Sequence, residues 1–336
     1  MTLTKLAALT GTSVATVSKA FSGSAEISLA TREKIFKAAR DIGCFDKYYK
    51  GPRERPIIAL VFPESESEYY ATEIGLLEKV LTSRGADTVI ALTRFDHERE
   101  ARLFRELVYR MKVDGVILSG SGSLIKNPDE IPLVTIGSGD RYINHADNIK
   151  VDLEKAISDT VSLIKEYGHR EVGFIGEQLT SAKLKLFKSA MRQNGLPLYD
   201  KYIVTANSRF TEAGESGMKA LIDSGKVPSV IVAAYDQIAY GAMSYASAHG
   251  YKIPEDISFV GMDDISVTDY LDTPLTSIHI HLEDICEKVA DLIFKRIENR
   301  HYREPRELIL TTSLKLRKSL VRYEERQKHT GINDSN

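Results

Sequence analysis

Two carboxylates stand at the ends of apolar runs: Asp236 just past VIVAAY (230–235) and Asp263 closing SFVGMD (258–263). A carboxylate there can accept from a ligand hydroxyl, and Asp236 also opens a helical stretch whose N-terminus it can cap. Phe62, Glu64 and Glu66 end the run IIALVF (57–62) in the same manner. The 336 residues include no tryptophan, so stacking on an apolar ligand face falls to Tyr or Phe, such as Tyr235 or Phe210. Catalytic signatures are missing: no glycine-rich phosphate loop, G-x-S-x-G elbow or H-E-x-x-H helix occurs. Asp263 and Asp264 are adjacent and leave a strand in different directions. His279 and His281 share one strand face without further ligands nearby, which favours a structural role over a metal site. The pattern predicts binding, with no cofactor and no metal.

A second constellation opens the chain. Leu3, Leu6 and Ala7 recur at helical spacing until Thr10-Gly11-Thr12-Ser13 interrupts them. Gly11 permits the positive φ of a sharp corner, and Ser13 is a good N-cap for the next helix. On that helix Val14, Ala15, Ser18 and Lys19 gather on one face, and Thr16, Val17 and Ala20 on the other. Ser28 can cap a third helix over about 29–42, with Ile35, Ala38, Ala39 and Ile42 as its stripe and Gly43 closing it. Two short helices about a glycine corner form a helix-turn-helix able to enter a major groove, although taken alone they are better read as an ordinary αα-corner. Charge separates the two readings. Residues 1–56 carry ten Lys/Arg and five Asp/Glu, a balance of +5, and with a net charge of −2 the remainder carries −7. A basic segment holding the helix-turn-helix suits phosphate contact.

The elements that position the carboxylates come next. From Pro56 onward, strands and helices alternate: IIALVF, TVIAL (88–92), GVILSG (115–120), LVTIG (133–137), EVGFIG (171–176), YIVT (202–205), VIVAAY and SFVGMD, with helices between them. Such alternation predicts doubly wound parallel sheets covered by helices, and the strands are too many for one ordinary sheet, so two lobes are expected. LTSIHIH (275–281), a helix over about 282–299 and strands near 307–312 and 314–316 provide the later crossings. In open α/β sheets the ligand lies at the carboxyl ends of the strands, here a cleft between the lobes. Residues 44–56 read as a linker and the last residues as a disordered tail. Cys44 and Cys286 read as reduced thiols. The first apolar residues belong to amphipathic helices rather than a signal peptide, and no apolar run spans a bilayer, which points to a cytoplasmic protein without membrane contact.

LAALTGTSVATVSKAFSG (6–23) and ISLATREKIFKAARDIG (27–43) resemble the DNA-binding headpiece of the lactose-repressor/galactose-repressor (LacI/GalR) family, and AAYDQIAYGAMSYASAHGYKIPEDISFVGMDDI (233–265) resembles its body. The resemblance implies a headpiece (1–45), a linker (46–56), a periplasmic-binding-protein-like domain (57–322) whose lobes exchange three crossovers, and a tail (323–336). The first lobe takes about 57–150 and 282–312, the second about 151–280 and 313–322. It implies a homodimeric transcriptional repressor on a DNA operator, with a small-molecule effector, a sugar or its derivative, in the cleft. Val14, Ala15 and Lys19 would then face bases, while Thr12, Ser13, Thr16, Ser18 and Thr31 contact or support contact with phosphates. Asp236 and Asp263 match effector-binding residues of relatives, and Phe62, Glu64, Phe210 and Tyr235 join them as cleft candidates.

Departures from the family pattern are specific. In the R-L-x-G-[FY] motif Lys183 replaces the arginine, Leu186 the glycine and Phe187 the aromatic; lysine lacks the planar two-pronged donor. Gly137 stands where many relatives have Asp, and Tyr235 replaces an asparagine. The usual hinge helix would meet Gly51 and Pro52, with Arg53 at its leucine position; Tyr48 and Tyr49 are alternative DNA contacts. Control by a protein partner, or without any effector, is the nearest rival reading; a transport protein and an enzyme are the others.

Overall fold

The computed structural model describes residues 2–22, 24, 26–49, 55–120, 124–127, 131–137, 143, 146–299 and 305–324. The chain divides into two units, Met1–Pro56 and Ile57–Asn336. In the first, three helices start on hydroxyl caps: α1 (Leu3–Thr10) on Thr2, α2 (Val14–Phe21) on Ser13 and α3 (Leu29–Asp41) on Ser28. Gly11, at φ 63°, turns the chain between α1 and α2 without the clash a Cβ would bring. Leu6, Val17, Ala20, Phe21, Ile35 and Ala39 close the core. Ile42, expected in that stripe, is instead 36% exposed, because it is the C-cap residue beyond the last turn.

The segment read as a linker begins with structure rather than coil. A short turn, α4 (Phe45–Tyr48), lays Phe45 against Phe36 with centroids 5.0 Å apart, and Tyr48 against Phe21 at 5.9 Å. Tyr49 stacks on Phe45 at 4.8 Å. Both tyrosines, expected as linker contacts to DNA, thus spend their rings on the headpiece core. The hinge positions Gly51, Pro52 and Arg53 lie outside the described residues.

In the second unit, β1 (Ile57–Phe62), α5 (Glu68–Ser83), β2 (Asp87–Leu92), α6 (His97–Arg105), β3 (Gly115–Ser119), β4 (Leu133–Gly137) and β5 (Asp147–Val151) come first. Then follow α7 (Leu153–Glu166), β6 (Val172–Glu177), α8 (Ser181–Gln193), β7 (Ile203–Ala206), α9 (Phe210–Asp223), β8 (Val230–Ala233), α10 (Asp236–Ala248) and β9 (Ser258–Asp263). The chain ends through β10 (Thr276–His279), α11 (Leu282–Glu298), β11 (Glu307–Leu310) and β12 (Ser313–Lys315). One parallel sheet has the order β11-β5-β4-β3-β1-β2, and the other β12-β10-β9-β8-β6-β7, with β12 antiparallel to β10. The chain passes between the lobes after β5, after β10 and after β11.

Strand parity sets the layers. On β1, Ile58, Leu60 and Phe62 enter a core with Leu77, Leu81, Val289 and Ile293 of α5 and α11. Ala59 and Val61 join Phe104 of α6 on the opposite face. On β6, Phe174 packs on Phe187 of α8 at 5.1 Å, while Ile175 meets α9 at Gly217. Helices therefore cover both faces of each sheet, the doubly wound arrangement. The strand β5 lies outside the alternation read from the sequence. Its Asp147 is buried and takes two bonds from Arg296, Nε at 2.7 Å and Nη2 at 2.8 Å. Tyr323, placed in the tail, is ordered: its N–H donates to the Tyr167 carbonyl oxygen at 2.8 Å. Residues 325–336 lie outside the described residues. No described helix is long and apolar enough to cross a membrane.

Candidate functional site

The carboxyl ends of the two sheets line an open cavity of about 520 Å³. The first lobe contributes Glu64, Tyr69, Tyr70, Phe95, Ser119, Gly137 and Asn148; the second contributes Glu177, Lys183, Arg209, Phe210, Tyr235 and Asp263. Tyr69 and Tyr70 enter because Ser67 caps α5 by accepting from the Tyr70 amide, which starts the helix at the rim. Burial, and next Glu73, hold both phenol groups well above their usual range, so they present neutral hydroxyls. Gly137 leaves room for a Cβ, whose nearest neighbour would be the Gly120 carbonyl oxygen at 3.8 Å.

Lys183 starts in the first turn of α8 and donates to the Ala234 carbonyl oxygen at 2.8 Å. Its Nζ also lies 3.3 Å from Asp263 Oδ1. The charge of the motif's arginine is kept, but it is held at the second lobe's own strand ends. Asp263 has φ 98°, a backbone conformation that turns the chain off β9 toward the cavity. The Tyr235 hydroxyl accepts from the Phe210 amide at 3.0 Å, and burial pushes its pKa up to about 12. Phe210 and Tyr235 form an aromatic corner with centroids 6.2 Å apart.

Two candidates are placed differently from expectation. Phe62 shares the parity of Ile58 and Leu60, so its side chain is fully buried behind the cavity against the edge of Tyr70. Asp236 is not an N-cap: Tyr235 occupies that position, and Asp236 is the first helical residue. It touches the cavity, yet both oxygens are engaged, Oδ1 by Ser277 Oγ at 2.6 Å and Oδ2 by the Ile265 amide at 2.9 Å. Burial first, and then Asp263, hold its carboxyl well above the usual range. Asp236 ties α10 to β10 and the loop after β9.

Arg209 escaped the sequence reading. Its guanidinium carbon lies 4.4 Å from the Phe210 ring centroid and 5.2 Å from that of Phe95, which belongs to the opposite lobe. Nη2 is 3.5 Å from Glu64 Oε1, and Nε is 3.8 Å from Glu177 Oε1. Only the juxtaposition SRF with an aromatic hinted at it. A second link between lobes runs from the Ser266 amide to Glu68 Oε1 at 2.7 Å. At the crossovers, His279 Nδ1 bonds Asp264 Oδ2 at 2.8 Å, and His281 Nε2 bonds Ser313 Oγ at 3.3 Å. These histidines join two of the strands that pass between lobes.

On the headpiece, Val14, Ala15, Ser18 and Lys19 lie exposed along α2, while Thr16 is half-buried. Thr12 and Thr31 are half-buried and bonded to neighbouring hydroxyls, Thr10 at 2.8 Å and Ser28 at 2.9 Å; Ser13 is exposed and pairs with Thr16 at 2.8 Å. Lys19 pairs with Glu26.

Fold and site define a two-lobed binding domain carrying a helix-turn-helix headpiece. A family model for a periplasmic binding protein-like domain matches residues 161–320. The HTH-type transcriptional repressor CytR of Escherichia coli K12 is 27% identical over 301 residues, covering 86% of this chain and 87% of that one. Among solved structures, a complex of the transcriptional regulator CelR with cellobiose has a TM-score of 0.67 and 26% identity, covering 95% of this chain and 100% of that one. A lac repressor dimer bound to operator and the anti-inducer ONPF shares the fold, with a TM-score of 0.72 at 19% identity, over 96% and 99% of the chains. Over most of its length the chain is similar to HTH-type transcriptional regulators of the LacI type.

Proposed function

We propose that this protein is a homodimeric cytoplasmic repressor, without enzymatic activity, whose operator affinity is set by a sugar or sugar derivative in the cleft. The observation that carries this reading is the cleft whose two walls come from different lobes. A ligand filling it contacts both lobes and favours one of their arrangements, and it changes DNA affinity only by binding the two arrangements unequally. The aromatic corner of Phe210 and Tyr235 offers a flat face for a sugar ring, and Asp263 and Glu64 offer acceptors for hydroxyls. CelR, a similar protein, was solved with cellobiose. Val14, Ala15 and Lys19 read bases; Thr12, Ser13, Thr16, Ser18 and Thr31 contact or brace contacts to phosphates.

The test is a thermal-shift screen of the full chain against sugars, sugar phosphates, nucleosides and purines. A ligand specific for the folded cleft raises the midpoint by mass action, and Asp263→Ala should abolish that rise. A blank screen alongside intact sequence-specific DNA binding would replace the effector by a protein partner, or by none.

A further inference from the structure

We propose that Glu64 and Arg209 form a subsite for effector hydroxyls bridging the lobes, and that this subsite makes the cleft select a neutral polyhydroxylated ligand over its phosphorylated counterpart. The inference rests on the effector reading above and specifies which chemistry the cleft accepts.

Glu64 is only 1% exposed, and its two oxygens have different fates. Oε2 accepts the amides of Glu66 and of Ser67, the latter at 3.0 Å, which fixes the carboxylate in place. Oε1 is buried and receives no hydrogen bond, although Glu64 lines the cavity. Arg209 Nε is likewise buried without a hydrogen-bond partner. The nearest approach of the two groups, 3.5 Å between Nη2 and Oε1, is an ion pair but too long for a good hydrogen bond. Leaving a buried carboxylate oxygen and a guanidinium N–H unsatisfied is costly. A ligand hydroxyl resolves both deficits at once, donating to Glu64 Oε1 and accepting from Arg209 Nε. A vicinal pair would do so without distorting either group. Phe95 and Phe210 flank the guanidinium, so the donor is held before the ligand arrives.

Charge gives the selectivity. Among the described lining residues, Lys183 and Arg209 are the cations, against the carboxylates Glu64, Glu177 and Asp263, Asp236 being spent on Ser277 and the Ile265 amide. Lys183 is committed to Asp263 and the Ala234 carbonyl, and Arg209 lies between Glu64 and Glu177. A phosphate would enter a site already net negative, where Arg209, whose Nε is not hydrogen-bonded to the protein, is flanked by Glu64 and Glu177.

The experiment is isothermal titration calorimetry of the full-length protein with matched pairs: glucose and glucose 6-phosphate, sucrose and sucrose 6-phosphate, uridine and uridine 5′-monophosphate, with cellobiose as a further neutral probe. Wild type, Glu64→Gln and Asp263→Ala are compared. In any pair that binds, the neutral member should bind at least tenfold more tightly, and Glu64→Gln should weaken it at least fivefold while narrowing that preference. Tighter binding of the phosphorylated member overturns the proposal. So does unchanged affinity in Glu64→Gln when Asp263→Ala abolishes binding, and that outcome leaves the effector reading standing. No heat with any probe removes the effector reading and the subsite together. Should Glu64→Gln fail to fold, Arg209→Gln carries the same expectation for the neutral ligand: at least fivefold weaker binding, with unchanged affinity overturning the subsite.

Discussion

Lys183 and Asp263 approach to 3.3 Å across the strand ends of the second lobe, with the lysine also anchored on the Ala234 carbonyl oxygen. The pair holds in place Asp263, which lines the cavity. Lysine at this position serves its own lobe, and the guanidinium that reaches the opposite lobe is Arg209.

Replacing Lys183 by Met therefore separates binding from folding. It should cost about 1–2 kcal/mol of stability, the value of a partly buried charged hydrogen bond. Affinity for a cleft ligand should fall about tenfold or more, because Asp263 loses the partner that orients it. Titration calorimetry and urea unfolding read the two effects separately.

Gly261→Ala should be among the more damaging single changes in the second lobe. A Cβ there would stand 2.0 Å from Asp236 Oδ1, so the carboxylate must leave Ser277 or the strand must shift. A loss of about 2–4 kcal/mol is expected from overpacking and a broken buried bond, measured as a lower urea midpoint.

Stability should fall with pH through Glu73. This residue is fully buried on α5, and burial raises its pKa from 4.5 to about 8, with only the Ser119 hydroxyl opposing. The native state holds a proton that the unfolded chain releases above about pH 4.5. The stability this proton confers is complete below that pH and is lost as pH rises toward 8, at no more than about 1.4 kcal/mol per unit. Glu73→Gln should remove this slope, so its melting-temperature advantage over wild type grows between pH 5 and 8 and then levels.

Lys19 of α2 pairs with Glu26, and both side chains are exposed. If Lys19 reads a base, as proposed above, it must leave Glu26 to do so. Glu26→Gln should accordingly raise operator affinity, while Lys19→Ala lowers it by about 1–3 kcal/mol without unfolding the body. Fluorescence anisotropy with the selected operator measures both.

Much of this organisation is legible in the sequence, for identifiable reasons. Caps at Ser13 and Ser28 and the Gly11 corner are local signals, and the apolar runs of β1, β3 and β9 are continuous because those strands are buried on both faces. The strand β5 was not legible, since DNIKV is polar and its Asp147 is neutralised by Arg296, 149 residues away. Phe62 was misplaced although strand parity held the answer: it alternates with Val61 and follows Ile58 and Leu60 inward. Arg209 carries no periodic signature at all. Its role arises from φ 57° at Phe210 and from two lobes that meet only in three dimensions.

Selection of binding sites from random duplex DNA by the full-length protein tests the central claim most directly. It should enrich a pseudo-palindromic site of two half-sites, and the enrichment should disappear when Val14, Ala15 and Lys19 are replaced together. A pool that stays random, or an enriched site indifferent to those three residues, would contradict a regulator reading DNA through α2.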